Sequence, residues 1–215
     1  MSLLARPKPF LAALFGGALV IAGLAAGGWY AFGPGGDGDR FAECRATRLA
    51  GASGAQLGGP FELTAHTGER MTSEAVIDRP VLLYFGYVWC PDVCPFDVAR
   101  NAEAVRILEE RGIEVRPVFV SIDPARDTPE ALAPWIEAHH PRMIGLTGSD
   151  EDVAEAARAW RVYHSKVGDD PQDYLMDHST FTYLAAPGEG FLDVFRREDT
   201  AEGIADRVEC FVERL

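Results

Sequence analysis

The sequence predicts a three-layer α/β domain with a mixed central sheet, preceded by one N-terminal transmembrane helix. Three observations carry that prediction. An uncharged run fills Phe10–Phe32, apolar runs of strand length alternate with helical periodicities from Val81 to Trp160, and a β-hairpin pattern followed by a helix closes the chain. With 215 residues, 47% of them hydrophobic, the chain can form one soluble domain with its own core plus extra segments, and needs no disulfide scaffold to fold.

The run Phe10–Phe32 contains 23 residues, enough at ~1.5 Å per residue to cross a hydrocarbon core of roughly 30 Å. Arg6 and Lys8 precede it and no acid occurs before Asp37, so the positive-inside rule puts the N-terminus in the cytoplasm and the rest outside. A cleaved signal sequence is the competing reading, but the run is long for an apolar signal core, which favours an uncleaved anchor. Glu43 before Cys44 spoils a lipoprotein site, and the two bases ahead of the run are too few for a mitochondrial transit segment. The expected organisation is a cytoplasmic N-terminus at 1–9, an anchor at 10–32, a linker at 33–58 containing GPGGDG, and a folded domain at 59–215. Such a chain sits once across a bacterial inner membrane with its domain in the periplasm. Beyond residue 36 the chain holds 18 basic and 33 acidic residues, a net of −15, which excludes the basic face that nucleic acid requires.

Within the domain, Phe61–Thr64 and Arg70–Thr72 read as a hairpin turning at His66-Thr67-Gly68. Val81–Val88 (VLLYFGYV) is apolar throughout, as a strand buried on both faces should be. Pro95–Glu110 follows as a helix, with Val98, Ala102, Val105 and Leu108 at spacings of three and four and Gly112 marking its end. Val115–Ile122 is the next strand. Thr128-Pro129 opens a second helix with a capping residue and a first-turn proline. A short strand at Met143–Leu146 and a helix at Asp150–Trp160 come next. Phe181–Ala185 and Phe191–Phe195 form a hairpin around Pro187–Gly190, and Thr200–Val212 is the last helix. Parallel crossovers followed by a closing antiparallel hairpin suit a thioredoxin-like fold.

Chemistry concentrates in Cys90-Pro91-Asp92-Val93-Cys94-Pro95, between the first central strand and the first helix. Pro95 suits a first helical turn, which sets Cys94 at the helix N-terminus, where free N–H groups and the dipole stabilise a thiolate. The spacing of four lets two sulfurs converge on one ion or on each other as a disulfide. Of the five histidines, only His178 is expected to head a central strand, and in this sheet order the start of that strand approaches the cysteine loop. Two thiolates and one imidazole form a trigonal donor set suited to Cu(I), with room for a further ligand to Cu(II); zinc accepts the same donors. His66, His139, His140 and His164 read as structural, with His139-His140 a surface pair at a helix end. Met176 is a conceivable soft donor better explained by packing.

The stretch Tyr84-Phe85-Gly86-Tyr87-Val88-Trp89-Cys90-Pro91-Asp92-Val93-Cys94-Pro95 resembles the signature of the Sco/SenC copper chaperones. So do Val120–Pro129 (VSIDPARDTP) and Asp177-His178-Ser179. The resemblance covers about Gly59–Val212. It implies a thioredoxin-like fold, copper held by Cys90, Cys94 and His178, and a role in building the copper-A centre of cytochrome c oxidase subunit II. The expected partners are that subunit or a related respiratory oxidase, and a periplasmic copper donor. Two activities suit such a site: copper delivery by ligand exchange, and reduction of a disulfide in the oxidase's copper-binding cysteines by the Cys90–Cys94 pair, which would make the protein an oxidoreductase. A sensor or scaffold would bind copper without passing it on. A peroxidase of this fold wants Pro-x-x-x-Thr-x-x-Cys, which neither cysteine completes.

Two expectations remain. Ser165–Met176 (SKVGDDPQDYLM) reads as a polar loop that opens the site. Cys44 and Cys210, solitary and extracytoplasmic, are expected to form a disulfide tying the leading segment to the last helix.

Overall fold

The computed structural model describes residues 39–45, 57–170 and 173–215. The chain divides into two compact units, Met1–Ala42 and Glu43–Leu215. Of the first, residues 39–42 are described and form a turn closed by Ala42 N–H donating to Asp39 O at 2.9 Å. The expected anchor at Phe10–Phe32 lies outside the described residues. Among those described, no helix is long and apolar enough to cross a membrane.

The second unit runs β1 (Glu62–Ala65), β2 (Arg70–Thr72), α1 (Ser73–Val76), β3 (Val81–Gly86), α2 (Val93–Glu110), β4 (Arg116–Ser121), α3 (Pro129–His139), β5 (Ile144–Thr147), α4 (Asp150–Ala159), β6 (His164–Val167), β7 (Leu175–His178), β8 (Thr182–Ala186), β9 (Gly190–Phe195) and α5 (Ala201–Val212). Seven strands form one sheet in the order β2-β1-β5-β4-β3-β8-β9. β3, β4 and β5 are parallel, while β1, β8 and β9 pair antiparallel to their neighbours. This is the expected thioredoxin-like α/β sandwich with a mixed sheet.

β3 lies mid-sheet and all six of its residues are buried. Its period-two alternation splits them between two layers. Phe85 meets Trp160, just beyond α4, and Tyr183 of β8 at ring separations of 6.5 and 6.1 Å. On the other face Tyr84 reaches Asp97 of α2, and stacks on Phe119, which in turn lies 4.6 Å from Trp135 of α3. α5 packs beside α2, joined by Arg111 to Asp206 and Glu209.

Local chemistry sets the helix starts. Thr128 Oγ1 accepts from Ala131 N–H, Thr200 Oγ1 from Gly203 N–H, and Ser149 and Asp152 make a reciprocal capping box. Cys44 and Cys210 are joined as a disulfide with Cα atoms 5.6 Å apart. Across a separation of 166 residues, chain entropy gives such a link up to about 5 kcal/mol.

Three local expectations change. Ser165–Val167 and Leu175–Met176, expected as loop, are strand: β6 and β7 pair antiparallel as a separate two-stranded sheet. His178 consequently ends β7 and precedes β8, the neighbour of β3 in the sheet, where it was expected to head a central strand. His140 is not a surface residue but 2% exposed, its Nε2 3.1 Å from Glu109, and burial lowers its pKa. His139 alone fits the helix-end reading, set against Trp135.

Candidate metal centre

α2 begins at Val93, so its first free N–H groups point back along the loop. Its N-cap residue Asp92 makes no side-chain capping bond; instead Cys90 Sγ accepts from Cys94 N–H at 3.4 Å. The expectation that Cys94 is the dipole-stabilised thiolate is therefore reversed. Cys90 takes that place, because the helix starts two residues earlier than Pro95 suggests. The Cys94 thiol hydrogen-bonds to Cys90, and the N–H groups of Cys94, Asp92 and Val93 add to it against the cost of burial. Together they pull the Cys90 pKa down to about 4. Cys94 moves the opposite way, pushed up by its bond to Cys90 and by burial. The pair holds one proton, on Cys94. Both cysteines are free thiols, Cys94 fully buried and Cys90 7% exposed.

The third group comes from the hairpin. His178 Nε2 lies 3.4 Å from Cys94 Sγ. Its Nδ1 stands 2.8 Å from Ser179 O, and a carbonyl only accepts, so Nδ1 carries the hydrogen. Nε2 is then the lone-pair nitrogen and faces the sulfurs, the arrangement by which a backbone carbonyl orients a metal-binding imidazole. Tyr84 and Tyr87 meet the ring edge-on at 6.2 and 5.9 Å. The two Sγ atoms and the imidazole nitrogen lie within 4.8 Å of one another. Donors sharing one ion at ~2.3 Å for sulfur and ~2.0 Å for nitrogen are separated by about 4 Å, so the cluster needs little adjustment to close on a metal.

The sequence reading missed what fixes these groups. Tyr84 O–H donates to Asp97 Oδ2 at 3.1 Å and touches Cys94 Sγ at 3.9 Å, beneath the inner sulfur. Asp127, fully buried, accepts from Val88 N–H at 3.0 Å and Ser121 O–H at 2.7 Å, which pins the chain two residues before Cys90. Asp123 accepts from Tyr174 O–H and Arg126 Nε, each at 2.6 Å. Arg126 donates to Tyr174 O at 3.0 Å and stacks on that ring at 3.6 Å. These contacts dock the hairpin that carries His178. The signal was present in Asp123-Pro124-Ala125-Arg126-Asp127, whose two acids are both buried. His66 and His164 stand outside the three-donor group. His66 Nδ1 accepts from Gly145 N–H. Met176 packs against the core.

Fold and site define a class: thioredoxin-like domains whose strand-to-helix loop carries a dithiol that converges with a histidine, a group able to hold a metal ion. The SCO1/SenC family matches residues 50–213, and the chain belongs to that family. It is 49% identical over 177 residues to protein SenC of Rhodobacter capsulatus, covering 82% of this chain and 79% of that one. The chain spans about half the length of mitochondrial SCO1 relatives from Arabidopsis thaliana and human, 47% and 52%. Among solved structures, Arabidopsis thaliana ScoI with copper bound aligns with a TM-score of 0.70 and 37% identity, over 74% of this chain and 99% of that one. BsSco, a member of the Sco family of cytochrome c oxidase assembly proteins, shares the fold with a TM-score of 0.57 at 23% identity, over 73% of this chain and 94% of that one.

Proposed function

We propose that the chain is a copper metallochaperone that holds one copper through Cys90, Cys94 and His178 and assists assembly of the copper-A centre of cytochrome c oxidase. The carrying observation is the convergence of two sulfurs and one lone-pair nitrogen within 4.8 Å. This donor set is soft enough for Cu(I), and the similar ScoI binds copper. The cargo would leave by ligand exchange. One donor sulfur is nearly buried and the other fully so, while Trp89 (62% exposed) and Phe96 (71%) stand uncovered beside them. Exposed aromatics of this kind mark contact surfaces for protein partners. The partners on this reading are oxidase subunit II and a periplasmic copper donor. The anchor at Phe10–Phe32 would hold the domain on the periplasmic face of a bacterial inner membrane. Mixing the Cu(I)-loaded chain with the apo copper-binding domain of subunit II tests the proposal. Transfer of most of the copper is expected; retention of all of it would instead fit a sensor or scaffold.

The protonation asymmetry favours a second reading, thiol-disulfide reduction. The Cys90 thiolate would attack one sulfur of the subunit II disulfide, releasing the other as a thiol. Cys94 would then lose its proton and attack Cys90 in the mixed disulfide. The chain ends with a Cys90–Cys94 disulfide and the partner with two thiols. Loss of subunit II disulfide on mixing with the reduced, metal-free chain would establish this activity.

A further inference from the structure

His164 is the cross-strand partner of His178 in the β6–β7 hairpin. The next pair along is Tyr163 and Ser179, where Ser179 N–H donates to Tyr163 O at 3.0 Å. Antiparallel pairs alternate between hydrogen-bonded and non-hydrogen-bonded, so His164 and His178 occupy the second kind, in which Cα atoms stand about 4.5 Å apart and side chains are closest. Directly opposed residues also share a face. On β7 that face is set by the alternation of exposed Leu175 and Asp177 with half-buried Met176 and His178, and His164 is half-buried with them. The ligand imidazole and a second imidazole therefore stand side by side on the surface of the hairpin turned toward the cysteines.

Their nitrogens differ in commitment. His178 gives Nδ1 to Ser179 O and presents Nε2 to Cys94. Neither ring nitrogen of His164 makes a hydrogen bond among the described residues. Other side chains near His178 are engaged elsewhere: Met176 packs against the core, and Asp177 lies on the opposite face of the hairpin.

Three donors satisfy Cu(I), whereas Cu(II) favours four in a tetragonal arrangement. We propose that His164 supplies the fourth donor when the bound cargo is Cu(II), so that the site changes coordination number with copper oxidation state by recruiting a neighbouring imidazole. This rests on the copper-binding reading above. His164 is outside the three-donor cluster of Cys90, Cys94 and His178. With Cβ atoms opposed at roughly 5 Å, a change of its χ angles brings a ring nitrogen to the same ion without moving the backbone.

The full chain is loaded with one equivalent of Cu(II), and nitrogen couplings are counted by electron paramagnetic resonance and spin-echo modulation. The parent is expected to show two coordinated imidazoles and a His164→Phe variant one, with Cu(II) affinity lowered about tenfold or more. Ser165→Ala, on the opposite face of the hairpin, is expected to keep the parent spectrum. A single imidazole in the parent, or a His164→Phe spectrum and affinity equal to the parent's, overturns the proposal and leaves the three-donor reading standing. Absence of any Cu(II) or Cu(I) binding by the parent overturns both. The parent spectrum decides the question independently of how the variant folds.

Discussion

The sulfur of Cys94 rests against the bare backbone of Gly86. A Cβ placed on Gly86 would stand 2.9 Å from Cys94 Sγ, 2.9 Å from Tyr84 Cε1 and 3.1 Å from Phe119 Cε2. The last residue of the central strand thus has no side chain because the inner sulfur and two rings fill that volume. Gly86→Ala is expected to displace the sulfur and to cost about 1–3 kcal/mol by overpacking. Urea denaturation reads the stability loss, and a competitive Cu(I) titration reads the accompanying fall in affinity. A variant with parental values on both measures would refute this packing account.

Cys90 should react as a thiolate well below neutral pH. Its folded pKa of about 4 lies below the ordinary thiol value, so its contribution to stability is present above the unfolded pKa and is lost as pH falls through about 4. In the reduced, metal-free chain, alkylation of Cys90 by iodoacetamide is expected to be nearly independent of pH from 5.5 to 8, whereas an ordinary thiol gains about tenfold per pH unit over that range. Peptide mass mapping should place the label on Cys90 and leave buried Cys94 unlabelled. A rate that climbs steadily toward pH 8.5 would contradict the assigned thiolate.

Asp127 sets a pH dependence of the opposite sign. Burial, with a smaller contribution from the neighbouring Asp123 charge, raises its pKa to about 6 despite the bonds from Ser121 and Val88 and the nearby Arg126. A carboxyl whose pKa rises on folding gives its full stabilisation below the unfolded pKa near 4, and loses it as pH climbs through about 6. The span corresponds to about 3 kcal/mol between pH 4 and 7. Asp127→Asn keeps an oxygen for Val88 and Ser121 but cannot ionise, so its stability should vary less across that interval. Denaturation midpoints of parent and variant at pH 4.5 and 7.5 test this; equal slopes would exclude Asp127 as the source.

The sheet was legible because its signals are local. Val81–Val88 is unbroken apolar chain, and Thr128, Ser149 and Thr200 carry their own capping chemistry. The β6–β7 hairpin was not. His164-Ser165-Lys166-Val167 and Leu175-Met176-Asp177-His178 are short and polar around Gly168-Asp169-Asp170, and they pair only with each other. Their placement depends on Tyr174 meeting Arg126 and Asp123, contacts formed across 48 and 51 residues of chain. The three residues that the fold brings within 4.8 Å of one another could be named from the sequence, but which sulfur is the thiolate could not. Which sulfur holds the proton depends on where α2 begins, and that start at Val93 differs by two residues from the proline signal.

On the proposed function, Cys90, Cys94 and His178 act together on one copper. Anaerobic titration of the reduced full chain with Cu(I) and with Cu(II) tests it most directly, alongside Cys90→Ala/Cys94→Ala and His178→Ala variants. One copper per parent chain is expected, with binding abolished in the double variant and weakened by at least about tenfold in His178→Ala. No tight binding by the parent, together with a readily exchanged Cys90–Cys94 disulfide, would contradict the account and leave the thiol-disulfide reductase in its place.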